Sequence, residues 1–380
     1  AGRYTEAEAA YHRATEAYEA AIRVAPSDAQ VRLDLAHLWA DVLFMGVWYT
    51  GRPDAAAYPR TLAAADEAQR IDPDLLDADK VIIDTRSSWM EHLFNTGQPA
   101  EAEAAAMVRA AEEALQRQQD SVALLDKVAT VYWQRGKLAM TRKGDPQPWF
   151  HKGIASTDRL LAAEPDNVVA LNTHGLIQMD LGVYRESIGE DPTANFEAAA
   201  GSLERALAVG RENVSSGVNL ALACLSLMEY QIPLGQGDPP AHARRADAAL
   251  SVAEKANPNT HWTHRTRAGV RLAMARWRAT RGEPMVEDIA AARAALARAG
   301  AINPNDEMIS LYLADCEFCT MFDAMVGGRD WQPALRAARR QAAALAAGPL
   351  AVHGRHLSLK LDRLERIGRA GGRPDPRAIM

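Results

Sequence analysis

Two cysteines three residues apart, Cys316-Glu317-Phe318-Cys319, offer the widest chemical repertoire in this 380-residue chain: zinc ligation or thiol redox. Zinc takes four ligands, usually from a second pair at similar spacing, and none follows; His353 and His356 lie far downstream. A redox pair belongs at a helix N-terminus next to strands, and the surrounding sequence has no strand pattern. Two cysteines at i, i+3 of a helix fill core space, so Cys316 and Cys319 are only weak metal candidates. His261, Trp262 and His264, close to Arg265 and Arg267, cluster at the start of a helix. Metal or anion binding is the chemistry they offer, and an exposed turn is their expected setting. Gly235-Gln236-Gly237 is a lone G-x-G best explained by a turn. The chain has no H-E-x-x-H, no H-R-D or D-F-G, and no Ser/His/Asp grouping that spacing justifies. We expect a non-catalytic chain with no cofactor.

What positions these residues is helical. Hydrophobic residues make up 48% and charged residues 24%, ordinary values for a globular chain, but 75 residues are alanine, a helix former. No run of about 18 apolar residues exists to span a membrane. The opening Ala1-Gly2-Arg3-Tyr4-Thr5-Glu6 has no apolar core of a signal peptide, and three cysteines suit a reducing compartment. A cytoplasmic location is the expectation. The net charge of −6 hides a gradient. Residues 1–120 hold 11 Lys+Arg against 21 Asp+Glu, a net of −10, whereas residues 241–380 hold 22 against 14, a net of +8. That polarity fits drifting solvated faces, or self-association through oppositely charged ends. The basic residues are not interleaved with stacking aromatics, so no nucleic-acid partner is expected, nor a membrane.

Punctuation recurs along the whole chain. Val24-Ala25-Pro26-Ser27-Asp28, Ile71-Asp72-Pro73-Asp74, Ala163-Glu164-Pro165-Asp166-Asn167, Ala256-Asn257-Pro258-Asn259 and Ile302-Asn303-Pro304-Asn305-Asp306 each end one alanine-rich helix and open the next. With Arg117-Gln118-Gln119-Asp120-Ser121, Val209-Gly210-Arg211-Glu212-Asn213 and Ala347-Gly348-Pro349, the turn slots fall near 26, 73, 119, 165, 211, 258, 304 and 349, steps of about 46. Gly51, Gly97, Gly144, Gly189, Gly237, Gly282 and Gly328 lie 21 or 22 residues before a slot, and prolines follow soon after. Glycine ends a helix, proline begins one, and Asp145, Asp191, Asp238 and Glu283 stand where a helix start favours an acid. Each unit reads as helix A, a glycine-proline turn, helix B and a proline-Asp/Asn turn. Helix A carries the large apolar residues, as at 31, 35, 38, 39 and 42, and helix B the small ones.

The pairs Leu35-Ala36, Val128-Ala129, Leu220-Ala221, Leu313-Ala314 and, degraded, His174-Gly175, with Trp39 and Tyr132 following two of them and a proline closing helix B, resemble the tetratricopeptide repeat. The repeat here is about 46 residues rather than the family's 34. The resemblance implies an all-α right-handed superhelix of antiparallel helix pairs over residues 1–369, opening on a lone B helix (4–25), closing on an A helix (350–369), and followed by a flexible tail, 370–380. On that last helix Arg355, Lys360, Arg363, Arg366 and Arg369 are expected to form a polar outer face. The turns Lys143-Gly144-Asp145-Pro146-Gln147-Pro148 and Gly189-Glu190-Asp191-Pro192 are further similar to repeat regions behind the catalytic domain of myxobacterial-type serine/threonine kinases. A missing A helix before the first B helix makes the chain read as a fragment of something longer.

The resemblance also implies where a partner binds. Its inner face is lined by helix A, which places Gln30, His37, Lys80, Asp84, Asp126, Thr130, Trp133 and Asn172 in a groove for a protein or peptide segment. Trp133 is the expected aromatic anchor, and Lys80 and Asp84 set charge preference. The family's carboxylate-clamp pattern is missing, with Leu33 and Asp84 in two of its places, so an acidic C-terminal tail is not the expected ligand. The expected function is a non-catalytic protein–protein interaction scaffold, which the kinase resemblance implies to be the regulatory or substrate-docking region of a bacterial serine/threonine kinase. The alternatives are a small-molecule or metal-sensing module near Cys316/Cys319 or His261/His264, and a self-assembling repeat protein.

Overall fold

The computed structural model describes residues 2–47, 52–119, 121–210, 213–348 and 350–375, with side chains from residue 10 onward. Ala1, Gly51, Asp120, Arg211, Glu212, Pro349 and residues 376–380, all named above in turns or tail, lie outside the described residues. Among the described residues there are sixteen α-helices and no strand: α1 (Gly2–Val24), α2 (Ala29–Met45), α3 (Ala57–Ile71), α4 (Leu76–Asn95), α5 (Glu101–Arg117), α6 (Val122–Thr141), α7 (Gln147–Ala163), α8 (Val168–Ser187), α9 (Thr193–Val209), α10 (Val214–Leu234), α11 (Pro239–Ala256), α12 (His261–Thr280), α13 (Val286–Ile302), α14 (Glu307–Val326), α15 (Gln332–Ala346) and α16 (Ala351–Arg369). Even-numbered helices are the A type and odd-numbered the B type. No helix is long and apolar enough to cross a membrane among the described residues. Packing divides the chain into two compact units, residues 1–184 and 185–380, described separately below.

Turn chemistry explains where helices start. The side chains of Asp28, Ser121, Asn167, Asn213 and Asp306 accept from the backbone N–H groups of Val31, Leu124, Ala170, Ser216 and Met308, each capping an A helix. Asp145, Asp191 and Asp238 do the same for B helices, accepting from Gln147, Thr193 and Ala241. Glu283 does not cap. It pairs instead with Arg281 at 2.7 Å and Arg278 at 3.5 Å, because the longer side chain reaches back to the preceding helix. A helices close on a left-handed residue, as at Gly189 (φ +82°). After α6 that place falls to Lys143 (φ +59°), one residue before the glycine expected there.

In the first unit each A helix is packed by B helices on one flank and by its neighbouring A helix on another. Burial therefore exceeds a single stripe. Leu33, Leu35, Ala36, Trp39 and Leu43 are the buried residues of α2, whereas Val31, Leu38 and Val42 are only partly covered. Leu33 packs with Ala65, Ala68 and Ala78, while Leu35, Trp39 and Leu43 pack with Tyr18, Ile22 and Ala57. Small residues bring helices close: a Cβ on Gly136 of α6 would lie 2.3 Å from the fully buried Phe150 ring of α7. In the second unit one continuous core runs from Ala268 to Leu364, with Cys316, Phe318, Cys319 and Phe322 inside it.

Candidate functional site

In the first unit, α2, α4 and α6 lie side by side and leave a cleft of about 480 Å³ lined by His37, Asp41, Phe44, Lys80, Asp84 and Lys127, among others. Three of the expected groove residues, His37, Lys80 and Asp84, thus share one cleft. Lys80 pairs with Asp77 at 2.6 Å, and Lys127 reaches from α6 to Asp84 at 2.8 Å. Asp126 sits one residue from that bridge. Its Oδ1 is buried without a hydrogen-bond partner among the described residues, and burial pushes its carboxyl above the usual range, with Asp84 adding to the push and Lys127 opposing it.

The other expected residues are placed differently. Gln30 is exposed on the first turn of α2, where its amide donates to Asp34 at 2.8 Å. Thr130 and Asn172 are half-buried. Trp133 ties α6 to α8: its indole N–H donates to Asp180 at 2.6 Å, its ring packs on the cluster of Phe150, Ile177 and Leu181, and the Lys137 ammonium lies 4.6 Å from the ring centroid. Burial drives the Asp180 carboxyl up, while the indole hydrogen bond and Lys137 pull it back in part. The aromatic displayed in the cleft is Phe44, 46% exposed. No motif pointed to it, since it falls just outside the apolar stripe of its helix.

The second unit holds a pocket of about 570 Å³ formed by α10, α12, α14 and α16. At its floor Arg276 pairs with Asp315 at 2.8 Å and with Glu229 at 3.4 Å. Glu229 lines this pocket and keeps 49% of its side-chain surface exposed. Its pKa is raised, by burial first and then by Asp315 and Glu186, against the pull of Arg276. Burial works against the charge of Arg276, but the carboxylates of Asp315 and Glu229 outweigh it and raise its pKa. Lys360 lines the same pocket, its pKa lowered by burial and by Arg276. Lys360 is exposed on α16, as the other basic residues expected on its polar face are, and with the exposed His353 and His356 it borders this pocket. Sequence reasoning missed Glu229, Arg276 and Asp315. A signal existed, because Glu229 is the one charged residue of an otherwise uncharged α10.

Cys316 and Cys319 are fully buried in the core, and burial pushes their thiols up to about 12 and about 11. Among the described residues no group of three or more His, Cys, Asp or Glu side chains is placed so that it could hold a metal ion. His264 is buried, which corrects the expectation of an exposed cluster, and its Nδ1 has no hydrogen-bond partner among the described residues. Trp262 is 52% exposed, and His261 lies 3.5 Å from Asp306. α12 begins against the next turn slot, so its first residues alternate between that packing and solvent. Gly235 and Gly237 both take left-handed φ values in the turn between α10 and α11.

No family model matches the chain, and no curated protein matches it in sequence. Solved structures do match. A monomeric mutant of IFIT1, solved with the capped RNA m7Gppp-AAAA, superposes with a TM-score of 0.51 at 13% identity, over 93% of this chain and 67% of that one. A tetratricopeptide repeat protein from Parabacteroides merdae gives 0.48 at 12% identity, over 84% and 98% of the two chains. PilW, a widely conserved type IV pilus biogenesis factor, gives 0.43 at 17% identity, over 75% and 98%. At these identities the likeness speaks for the path of the helices and for nothing they bind. In fold, the chain is an all-α, tetratricopeptide-like helical solenoid.

Proposed function

We propose that the chain is a non-catalytic protein-interaction scaffold that holds an extended or helical partner segment against its A-helix face. The observation that carries this reading is the cleft over α2, α4 and α6, whose lining joins the 46%-exposed Phe44, as an apolar anchor, with the charged Lys80 and Asp84. Gln30, Asp126, Thr130, Trp133 and Asn172 extend that proposed face along α2, α6 and α8. Affinity capture with the wild-type chain, Phe44→Ala, Asp84→Lys and the B-face control Arg340→Glu tests it. The two cleft variants are expected to weaken partner retention about tenfold or more, and the control to match wild type. Equal recovery by all four chains removes the reading.

The pocket around Arg276 supports a second reading, in which the second unit senses a small molecule. A ligand that raises the melting temperature of wild type but not of Arg276→Gln supports it. The kinase context rests on the turns Lys143-Gly144-Asp145-Pro146-Gln147-Pro148 and Gly189-Glu190-Asp191-Pro192 alone, and the coding sequence before Ala1 tests it: a catalytic kinase domain there supports it, and a different domain removes it. One solenoid over 1–369 with a loose tail at 370–380 is also a proposal. Limited proteolysis confined to the region after residue 369 supports it, and early cleavage near residue 185 argues against it.

A further inference from the structure

The cleft of the first unit carries more negative charge than it neutralises. Asp41, Asp77 and Asp84 bring three carboxylates to its lining, and Lys80 and Lys127 bring two ammonium groups. Both lysines are already committed within the protein, to Asp77 at 2.6 Å and to Asp84 at 2.8 Å. Asp41 is exposed and has no ion-pair partner among the described residues. One carboxylate on the α2 wall is therefore left over.

The hydrogen-bond demand left over has the same sense. Thr85, 2% exposed, lines the cleft with its Oγ1 buried and without a partner among the described residues. The same holds for Oδ1 of Asp126, the neighbour of Lys127 on α6. An ammonium or guanidinium brings donors and no acceptor, whereas a carboxylate would add acceptors to a wall already short of donors.

Asp41 and Phe44 stand three residues apart on α2, so they share one face, and both line the cleft. A carboxylate beside an exposed aromatic ring seats a cation that has an apolar neighbour. The charge meets Asp41, and the ring takes an aliphatic stem or the face-on cation itself. At longer range the first unit, residues 1–184, holds 18 Lys+Arg against 27 Asp+Glu, a net of −9, and so attracts positive partners.

From this imbalance we infer that the segment held in the cleft is basic: a peptide with lysine or arginine next to an apolar residue, its cation on Asp41 and its apolar side chain on Phe44. This specificity rests on the groove reading and adds to it the sign of the partner's charge.

A phage-displayed library of random dodecapeptides, panned on the full chain, supplies the probes, and synthetic copies of the selected peptides are titrated by fluorescence anisotropy at low and high salt. The selected sequences are expected to be rich in Lys and Arg beside apolar residues and to lose affinity as salt rises. Asp41→Asn keeps the shape of an exposed side chain and is expected to weaken binding about fivefold, and Asp41→Lys about tenfold or more. Glu113→Lys reverses an exposed charge on α5, outside the lining of the cleft, and is expected to stay within about twofold of wild type. Circular dichroism checks that each variant is folded. Neutral or acidic selected peptides, wild-type affinity in Asp41→Lys, or equal losses in Asp41→Lys and Glu113→Lys would each overturn the basic segment. If those peptides still lose affinity in Phe44→Ala, the groove reading stands without it. Peptides that are also indifferent to Phe44→Ala and Asp84→Lys, or a library with no binder, remove both.

Discussion

Lys143 and Asp126 each hold a conformation or a charge that their surroundings do little to reward. The left-handed φ of Lys143 strains a side chain with a Cβ, by roughly 1 kcal/mol, where the equivalent turns elsewhere use glycine. Lys143→Gly is expected to raise stability by about 0.5–1 kcal/mol, read as a higher denaturant midpoint with unchanged slope. A lower midpoint would show that the lysine makes a compensating contact. Asp126 has a carboxyl whose native pKa lies above its unfolded one. The native state therefore carries no penalty from it below the ordinary carboxyl value, and the full penalty once pH exceeds the raised native value. Asp126→Asn is expected to stabilise the chain by about 1 kcal/mol at neutral pH, and the gain should vanish as pH falls below about 4. Melting curves across that range check it, and a gain independent of pH would point to another cause.

Among the elements, the A–B pairs depend on close approach. Gly136 faces the Phe150 ring, which is fully buried and has nowhere to retreat. Alanine there improves helix propensity by about 1 kcal/mol, but overpacking costs about 1–3 kcal/mol. Gly136→Ala is expected to destabilise on balance, measured by urea denaturation; a stabilised variant would mean that α6 and α7 separate without loss. The caps make a parallel case. Asp306 accepts from Met308 N–H and takes two hydrogen bonds from Arg265 of α12, so it starts α14 and fastens α12 to it. Asp306→Ala is expected to cost about 2 kcal/mol, above the roughly 1 kcal/mol of an ordinary cap. A loss no greater than that of Asp28→Ala would show that the Arg265 bonds contribute nothing.

For the whole molecule, a stack whose helices touch mainly their sequence neighbours transmits disturbance only a short way. Gly136→Ala is therefore expected to speed amide exchange in α6 and α7 while α12 and α14 keep wild-type protection. Uniform acceleration through both units would show a single cooperative transition instead. At this scale the cleft of the first unit and the pocket of the second each combine apolar surface with charges already held in ion pairs.

Much of this was readable before any coordinates. The turns at Pro26, Pro73, Pro165, Pro258 and Pro304 and the glycines Gly97, Gly189, Gly282 and Gly328 fall where helices stop, because cap and left-handed geometry are local demands met by local residue types. The cap failure at Glu283 and the shift of the left-handed residue to Lys143 escaped, since one extra methylene or one residue of register is settled by what the side chain reaches. Sites were legible only in part. His37, Lys80 and Asp84 sit in one cleft because repeat spacing places equivalent positions on neighbouring A helices. Phe44, the Glu229–Arg276–Asp315 cluster and the place of Lys360 beside it needed tertiary structure, because what a pocket contains depends on how helices from separate repeats converge. The order of helices is thus written in the chain itself, while burial, pairing and the sharing of a cavity arise only when those helices pack.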